Sequence, residues 1–150
     1  NVVTRRFRKE CDEHYFLTPP ELFILDHLPE HKKDQLLEKP ISKKQFSSTP
    51  LLYADFFHLT MRSIEPDKGK LKQKINKPFT FRFHYTGDFV ITEAGILLDN
   101  DKYITPVTLK ESTVPGNEYE FNYSFEEEGK HDLIIYLNGK AVVEYLIKVK

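Results

Sequence analysis

Two textures of hydrophobic spacing divide the chain near residue 59. Beyond that point apolar positions alternate with polar ones, the period of a strand buried on one face. "FTFRFHY" puts Phe79, Phe81, Phe83 and Tyr85 on one side, and "YEFNYSF" does the same with Tyr119, Phe121, Tyr123 and Phe125. "LTMRSI", "KLKQKI", "FVITEAGILL", "KYITPVTLK", "HDLIIYL" and "KAVVEYLIKV" complete the set, and Asn138-Gly139 between the last two is a type I′ hairpin signal. About seven or eight short strands at this spacing predict a mainly β fold, an immunoglobulin-like antiparallel β-sandwich. The tryptophan and cysteine pair of antibody domains are absent.

Before residue 59 the signals are those of short helices. In "LTPPELFILDHL", Thr18 and Glu21 have capping-box spacing, Pro19 suits the first helical position, and Leu17 and Leu22 are spaced as a hydrophobic staple. That helix is expected to stop before Pro29. "ISKKQF" repeats the grammar, with Ser42 as cap, Gln45 three residues on, and Ile41 and Phe46 as the staple. "TPLLYADFFHL" offers Thr49 as cap and Pro50 at the first helical position. Helices this short do not stand alone in water and must dock. The reading is a segment over 1–57 of a strand plus short helices, then a sandwich over 58–150. Phe23, Ile24, Phe46, Phe56 and Phe57 are the residues expected to pack one part on the other.

The chain has 150 residues, 39% hydrophobic and 30% charged, at a formal net charge of -1. That balance supplies no global field to recruit nucleic acid or an anionic membrane. No apolar run approaches the ~20 residues of a membrane span. The start, "NVVTRRFRKE", is charged and does not read as a signal peptide, so the chain looks like a piece of something longer. A single cysteine leaves no internal disulfide, argues against a cysteine-based zinc site, and fits a reducing compartment.

"CDEH" places Cys11, Asp12 and His14 within four positions, the side chains of a thiol triad. In an extended strand Cys11 and His14 point to opposite faces, beyond the ~3 Å that a nucleophile and its base need. Cys11 reads instead as a small buried hydrophobe. His27 and His31 have the spacing of a helical metal pair, but Pro29 between them breaks that geometry. Asp99, Asn100 and Asp101 lack the glycine and glutamate of a calcium loop and read as a turn. "EEEG", residues 126–129, reads as a solvated turn, and "TRRFRKE" as a solvated basic strand. Lys68, Lys70, Lys72 and Lys74 form a one-sided basic stripe if extended. It serves either to protect an edge strand or to meet an acidic partner or anionic lipid head groups. No residue reads as catalytic, and neither a cofactor nor a metal is expected.

Two resemblances extend this reading. "YEFNYSFEEEGKHDLIIYLNGK" resembles the closing strands of filamin-type immunoglobulin domains, where an alternating aromatic strand runs into an acidic, Gly-containing turn. "HYFLTPPELFILDHLPEHKKDQLLEKPISKKQF" resembles the segment that follows the core in a transglutaminase-like family, that of kyphoscoliosis peptidase, hillarin and fungal cytokinesis protein 3. The matching positions are Tyr15-Phe16-Leu17, Pro20, Phe23-Ile24, His27-Leu28-Pro29, Gln35-Leu36-Leu37, Pro40 and Gln45-Phe46, and Asp34 stands where many members have Trp. The resemblance implies that the catalytic Cys, His and Asp lie upstream of this segment, so neither His14 nor His27 inherits a role. The spelling leans toward the fungal branch, a non-catalytic adaptor of cytokinesis and septum formation whose parent can also carry an SH3 domain. By that resemblance the chain is expected to be an interaction module for cytokinetic or cytoskeletal proteins, cytoplasmic or at the division site, beside its own upstream core. Two alternatives stay open: an accessory domain of an active transglutaminase-like cysteine peptidase, and a filamin-like cytoskeletal spacer.

Overall fold

A computed structural model describes residues 17–87, 90–99, 101–111 and 118–150. Cys11, Asp12, His14 and the N-terminal basic run lie outside them, as does Asn100. Three one-turn elements open the described chain: α1 (Pro20–Phe23), a 3₁₀ turn (Lys32–Gln35) and α2 (Lys43–Phe46). Then come β1 (Leu51–Leu52), α3 (Ala54–His58), β2 (Met61–Glu65), β3 (Lys70–Gln73), β4 (Pro78–Tyr85) and β5 (Ala94–Leu98). The chain closes with β6 (Thr105–Val107), β7 (Lys110–Glu111), β8 (Glu118–Ser124), β9 (Gly129–Leu137) and β10 (Lys140–Val149).

The strands form two sheets, β2-β4-β8-β7 and β1-β10-β9-β5-β6, with β3 added parallel to β10. All other pairings are antiparallel. This is the immunoglobulin-like sandwich that the alternation predicts. Phe81 and Phe83 of β4, Phe121 of β8, Leu133, Ile135 and Leu137 of β9, and Tyr145 of β10 are all at most 1% exposed. Burying each such side chain is worth about 1.5–3 kcal/mol. Asn138 and Gly139 both take positive φ, 47° and 74°, as a type I′ turn requires. The run "KYITPVTLK", expected as one strand, splits: β6 pairs β5 in one sheet and β7 pairs β8 in the other. The chain changes sheets across Thr108 and Leu109.

The capping box at Ser42 forms, with the Gln45 amide N–H donating to Ser42 Oγ at 3.2 Å and Ser42 N–H donating to Gln45 Oε1 at 2.9 Å. The one expected at Thr18 and Glu21 does not. Pro19 is the N-cap, with ψ 139°, and Pro20 takes the first helical position. A residue before proline is pushed into extended backbone, so in a Pro-Pro pair only the second can enter the helix. Leu17 is 85% exposed, so the Leu17–Leu22 staple does not form either. α1 is one turn rather than a helix reaching Pro29. Thr49 and Pro50 do not open a helix: Thr49 Oγ1 donates to the Phe46 carbonyl at 2.7 Å, Leu51 and Leu52 join the sheet, and α3 starts at Ala54.

The early segment is stitched to the sandwich at several points. Gly69 N–H donates to the Ser48 carbonyl at 2.8 Å, and a Cβ at Gly69 would stand 2.6 Å from Thr49 O and 2.8 Å from Pro50 Cα. Only glycine permits that crossing. Phe56 and Phe57 lie in the sandwich core, and Ile24 is 7% exposed. Phe46 is half-buried, and Phe23 is half-buried and stacks on His27 at 5.0 Å.

Candidate functional site

The stripe of lysines lies on the edge strand β3 and its flanks. Lys70 and Lys72 are in the strand, Lys68 precedes it, Lys74 follows it, and all four are exposed. β3 pairs only with β10 among the described residues. The register sets Lys72 opposite Lys148, and Lys148 opposite Lys130 of β9. Three exposed lysines therefore stand in line across three neighbouring strands. Strands lie ~4.8 Å apart, so the backbone of Lys148 stands within one Debye length (~8 Å at physiological salt) of both Lys72 and Lys130.

At the end of β3 a cavity of about 590 Å³ is lined by Lys72, Gln73, Lys74, Lys77, Pro78 and Lys150. Gln73 shapes it by donating from Nε2 to the Lys77 carbonyl at 2.9 Å, which holds the β3–β4 loop against the strand. Lys77, Lys130, Lys148 and Lys150 were not singled out in the sequence. They lie outside the alternating stripe, most of them far along the chain, and no local signal announces that their strands will adjoin it. Among the described residues none of these lysines, nor Lys68, Lys70, Lys72 or Lys74, takes part in an ion pair.

The opposite outer face is arranged otherwise. Register places Glu65, Arg82, Glu120 and Lys110 in one row across β2, β4, β8 and β7. Arg82 donates to Glu65 at 2.9 Å and to Glu120 at 3.1 Å, and the hydrogen bond to Glu120 is the main cause holding its guanidinium pKa above the ordinary arginine range.

Several other ionisable residues have structural tasks. Asp99, read as part of a turn, bonds His131 Nδ1 at 2.6 Å and accepts from Asp132 N–H at 2.8 Å. His131 Nε2 faces the Glu127 carbonyl at 3.1 Å. Both ring nitrogens thus meet acceptors, which suits the doubly protonated ring, and the Asp99 hydrogen bond raises the His131 pKa. Tyr53 donates to Glu144 at 2.6 Å, which pushes its pKa to about 12. Burial drives the Tyr145 hydroxyl pKa upward, and that hydroxyl donates to the Pro66 carbonyl at 2.9 Å. His27 and His31 sit on separate elements, α1's trailing turn and the start of the 3₁₀ turn. Among the described residues no group of three His, Cys, Asp or Glu side chains could hold a metal ion, and no helix is long and apolar enough to cross a membrane.

Two glutamines of the family-like segment have clear structural roles. Buried Gln35 brackets Ile41, donating from Nε2 to its carbonyl at 3.0 Å and accepting its N–H at 2.8 Å, which closes the loop through Pro40. Gln45 is the far half of the Ser42 capping box.

No protein-family model matches the chain. It is similar to kyphoscoliosis peptidase of Homo sapiens, 36% identical over 72 residues, which is 48% of this chain and 11% of that protein. It is 28% identical to hillarin of Drosophila melanogaster over 155 aligned residues, 93% of this chain and 18% of hillarin. It is 38% identical over 58 residues to the Lim and transglutaminase domain protein ltd-1 of Caenorhabditis elegans, 39% of this chain and 8% of that one. The chain thus spans less than a fifth of the length of these relatives. The similarity is to animal members of the family that the early segment resembles; the fungal cytokinesis branch rests on the sequence resemblance alone. Among solved structures, the Lin-41 filamin domain aligns at a TM-score of 0.39 and 14% identity, over 57% of this chain and 90% of that one.

Proposed function

We propose that this chain is a non-catalytic protein-interaction module of a transglutaminase-like, cytoskeleton-associated protein. It works in the cytoplasm, as an adaptor at the division site or actomyosin ring. The observation that carries this reading is the similarity to hillarin over 93% of the chain, which accounts for only 18% of hillarin. One module of a larger protein is what such a match describes. The sandwich supports the reading by ending in strand edges at β3 and β6 that are unpaired among the described residues, surfaces of the kind that add a partner's strand. Any peptidase chemistry of the parent then belongs to a core upstream.

A second reading is favoured by the similarity to a named peptidase and to a protein with a transglutaminase domain. In it the chain is an accessory domain that keeps an active core in shape. A fluorescent fusion of residues 1–150, followed in dividing cells, separates the two. Concentration at the division site or on cytoskeletal structures, without the core attached, is the expected result. A diffuse fusion, together with a parent core that hydrolyses peptide only when this chain is attached, would replace the adaptor with the accessory domain.

A further inference from the structure

We infer that the β3 edge is a docking site for an extended acidic segment of a partner protein, which adds to the sheet as a further strand with acidic and apolar residues alternating. This rests on the interaction-module reading and names its site and the chemistry of its partner.

Three features of β3 lead there. The first is its backbone. Gly69 and Gln73 carbonyls accept from Leu146 and Lys150 N–H groups, and Ile75 N–H donates to Lys150. The odd-numbered residues thus face β10, and the alternation of a strand turns the N–H and C=O groups of Lys70 and Lys72 toward the edge that is unpaired among the described residues. The second is charge. The same residues carry the outward lysines, and the row continues inward through Lys148 and Lys130. Edge protection explains lysines on β3 but not on β10 and β9, which are interior strands of the sheet. Like charges directly opposite one another destabilise a sheet, so a row of three is relieved by an anionic occupant. The third is the other face of β3, where Leu71 and Ile75 are half-buried and packed against the core. An added strand would lay its carboxylates beside Lys70, Lys72 and Lys74 and its apolar side chains beside Leu71 and Ile75.

An anionic bilayer fits less well. Glu126, Glu127 and Glu128 are exposed on the turn that enters β9, and Asp132 is exposed next to Lys130's strand position on the same sheet. A broad negative surface would meet these carboxylates together with the lysines. A single strand on the β3 edge meets the β3 lysines and stays away from the carboxylates of β9, because β10 separates β3 from β9.

The test uses the full chain and a fluorescein-labelled octapeptide of alternating Glu and Val. Fluorescence anisotropy is expected to show binding that weakens as salt rises, and to show none for the Lys-Val counterpart. Lys70→Glu with Lys72→Glu should weaken it at least tenfold, and Lys148→Glu by a smaller factor. Circular dichroism confirms that these surface variants fold, and Lys70→Gln with Lys72→Gln repeats the test without charge reversal. N-methylation of alternate peptide amides should abolish binding, and amide NMR signals of Lys70 and Lys72 should move on titration. Equal binding by the N-methylated peptide, or by the Lys70→Glu, Lys72→Glu variant, would overturn strand addition. So would co-sedimentation with phosphatidylserine vesicles in the absence of peptide binding. If the fusion still concentrates at the division site while the peptide does not bind, the module reading stands and this site is wrong.

Discussion

Across one outer face of the sandwich the charges alternate, Glu65, Arg82, Glu120, Lys110; across the other they repeat, Lys72, Lys148, Lys130. Both rows run perpendicular to the strands, and both are solvated. The first satisfies itself, with Arg82 bonded to a carboxylate on each side. The second leaves each ammonium beside another. Opposite charges facing across a sheet contribute about 0.2–1 kcal/mol and like charges cost a similar amount. One face is therefore closed electrostatically and the other is open to an anion. Both rows lie on outer faces of one sandwich, and the difference between them lies in which charges the strands carry.

The largest expected effect comes from disturbing how the open face is held. Gly69→Ala forces a Cβ into the backbone of Thr49 and Pro50, and should lower stability by roughly 2–3 kcal/mol in urea denaturation. Because Gly69 leads directly into β3, the same change should shift the Lys70 and Lys72 amide resonances. Next in size, Arg82→Glu would line up three carboxylates on the closed face. Its melting temperature should fall further than that of Arg82→Gln; equal losses would mean that the row's alternation contributes nothing. A smaller effect of opposite sign is expected on the open face. Lys148→Glu turns its row into an alternating one and should stabilise the chain by about 0.5–1 kcal/mol, a gain that shrinks as salt screens it. Destabilisation by Lys148→Glu would contradict the comparison between the faces.

The smallest effect concerns pH. His131 anchors the start of β9 through Asp99 and the Glu127 carbonyl, and its folded-state pKa is raised above the ordinary ~6.5. A raised cationic pKa stabilises the fold fully below the unfolded value, and that contribution is lost as pH rises through the folded value. Melting temperature should therefore fall as pH rises above the ordinary histidine value of ~6.5. The fall should be shallower in His131→Gln, and an unchanged slope would remove His131 from the account.

Much of the architecture was legible because it is local. Period-two alternation identifies Phe81, Phe83 and Phe121 as one buried face, since successive side chains of a strand must point to opposite sides. Asn138-Gly139 and the Ser42–Gln45 box are equally readable, because each is settled by a few consecutive residues. The Thr18 box failed for a reason also present in the letters, the restriction that Pro20 places on Pro19. The lysine stripe at residues 68–74 was legible as a pattern and as a candidate contact for an acidic partner or lipid head groups, but the row that Lys148 and Lys130 add to it was not.

The sequence alone determined which faces are apolar and where several turns fall. Only the tertiary structure decided that β3 runs beside β10, that Lys148 and Lys130 extend its row, and that the chain changes sheets at Thr108 and Leu109. Strand order and register are set by how all the apolar faces are buried together and by which loops can close. No short window of residues contains that information, so a row assembled from positions 72, 130 and 148 has no counterpart in any stretch of the chain.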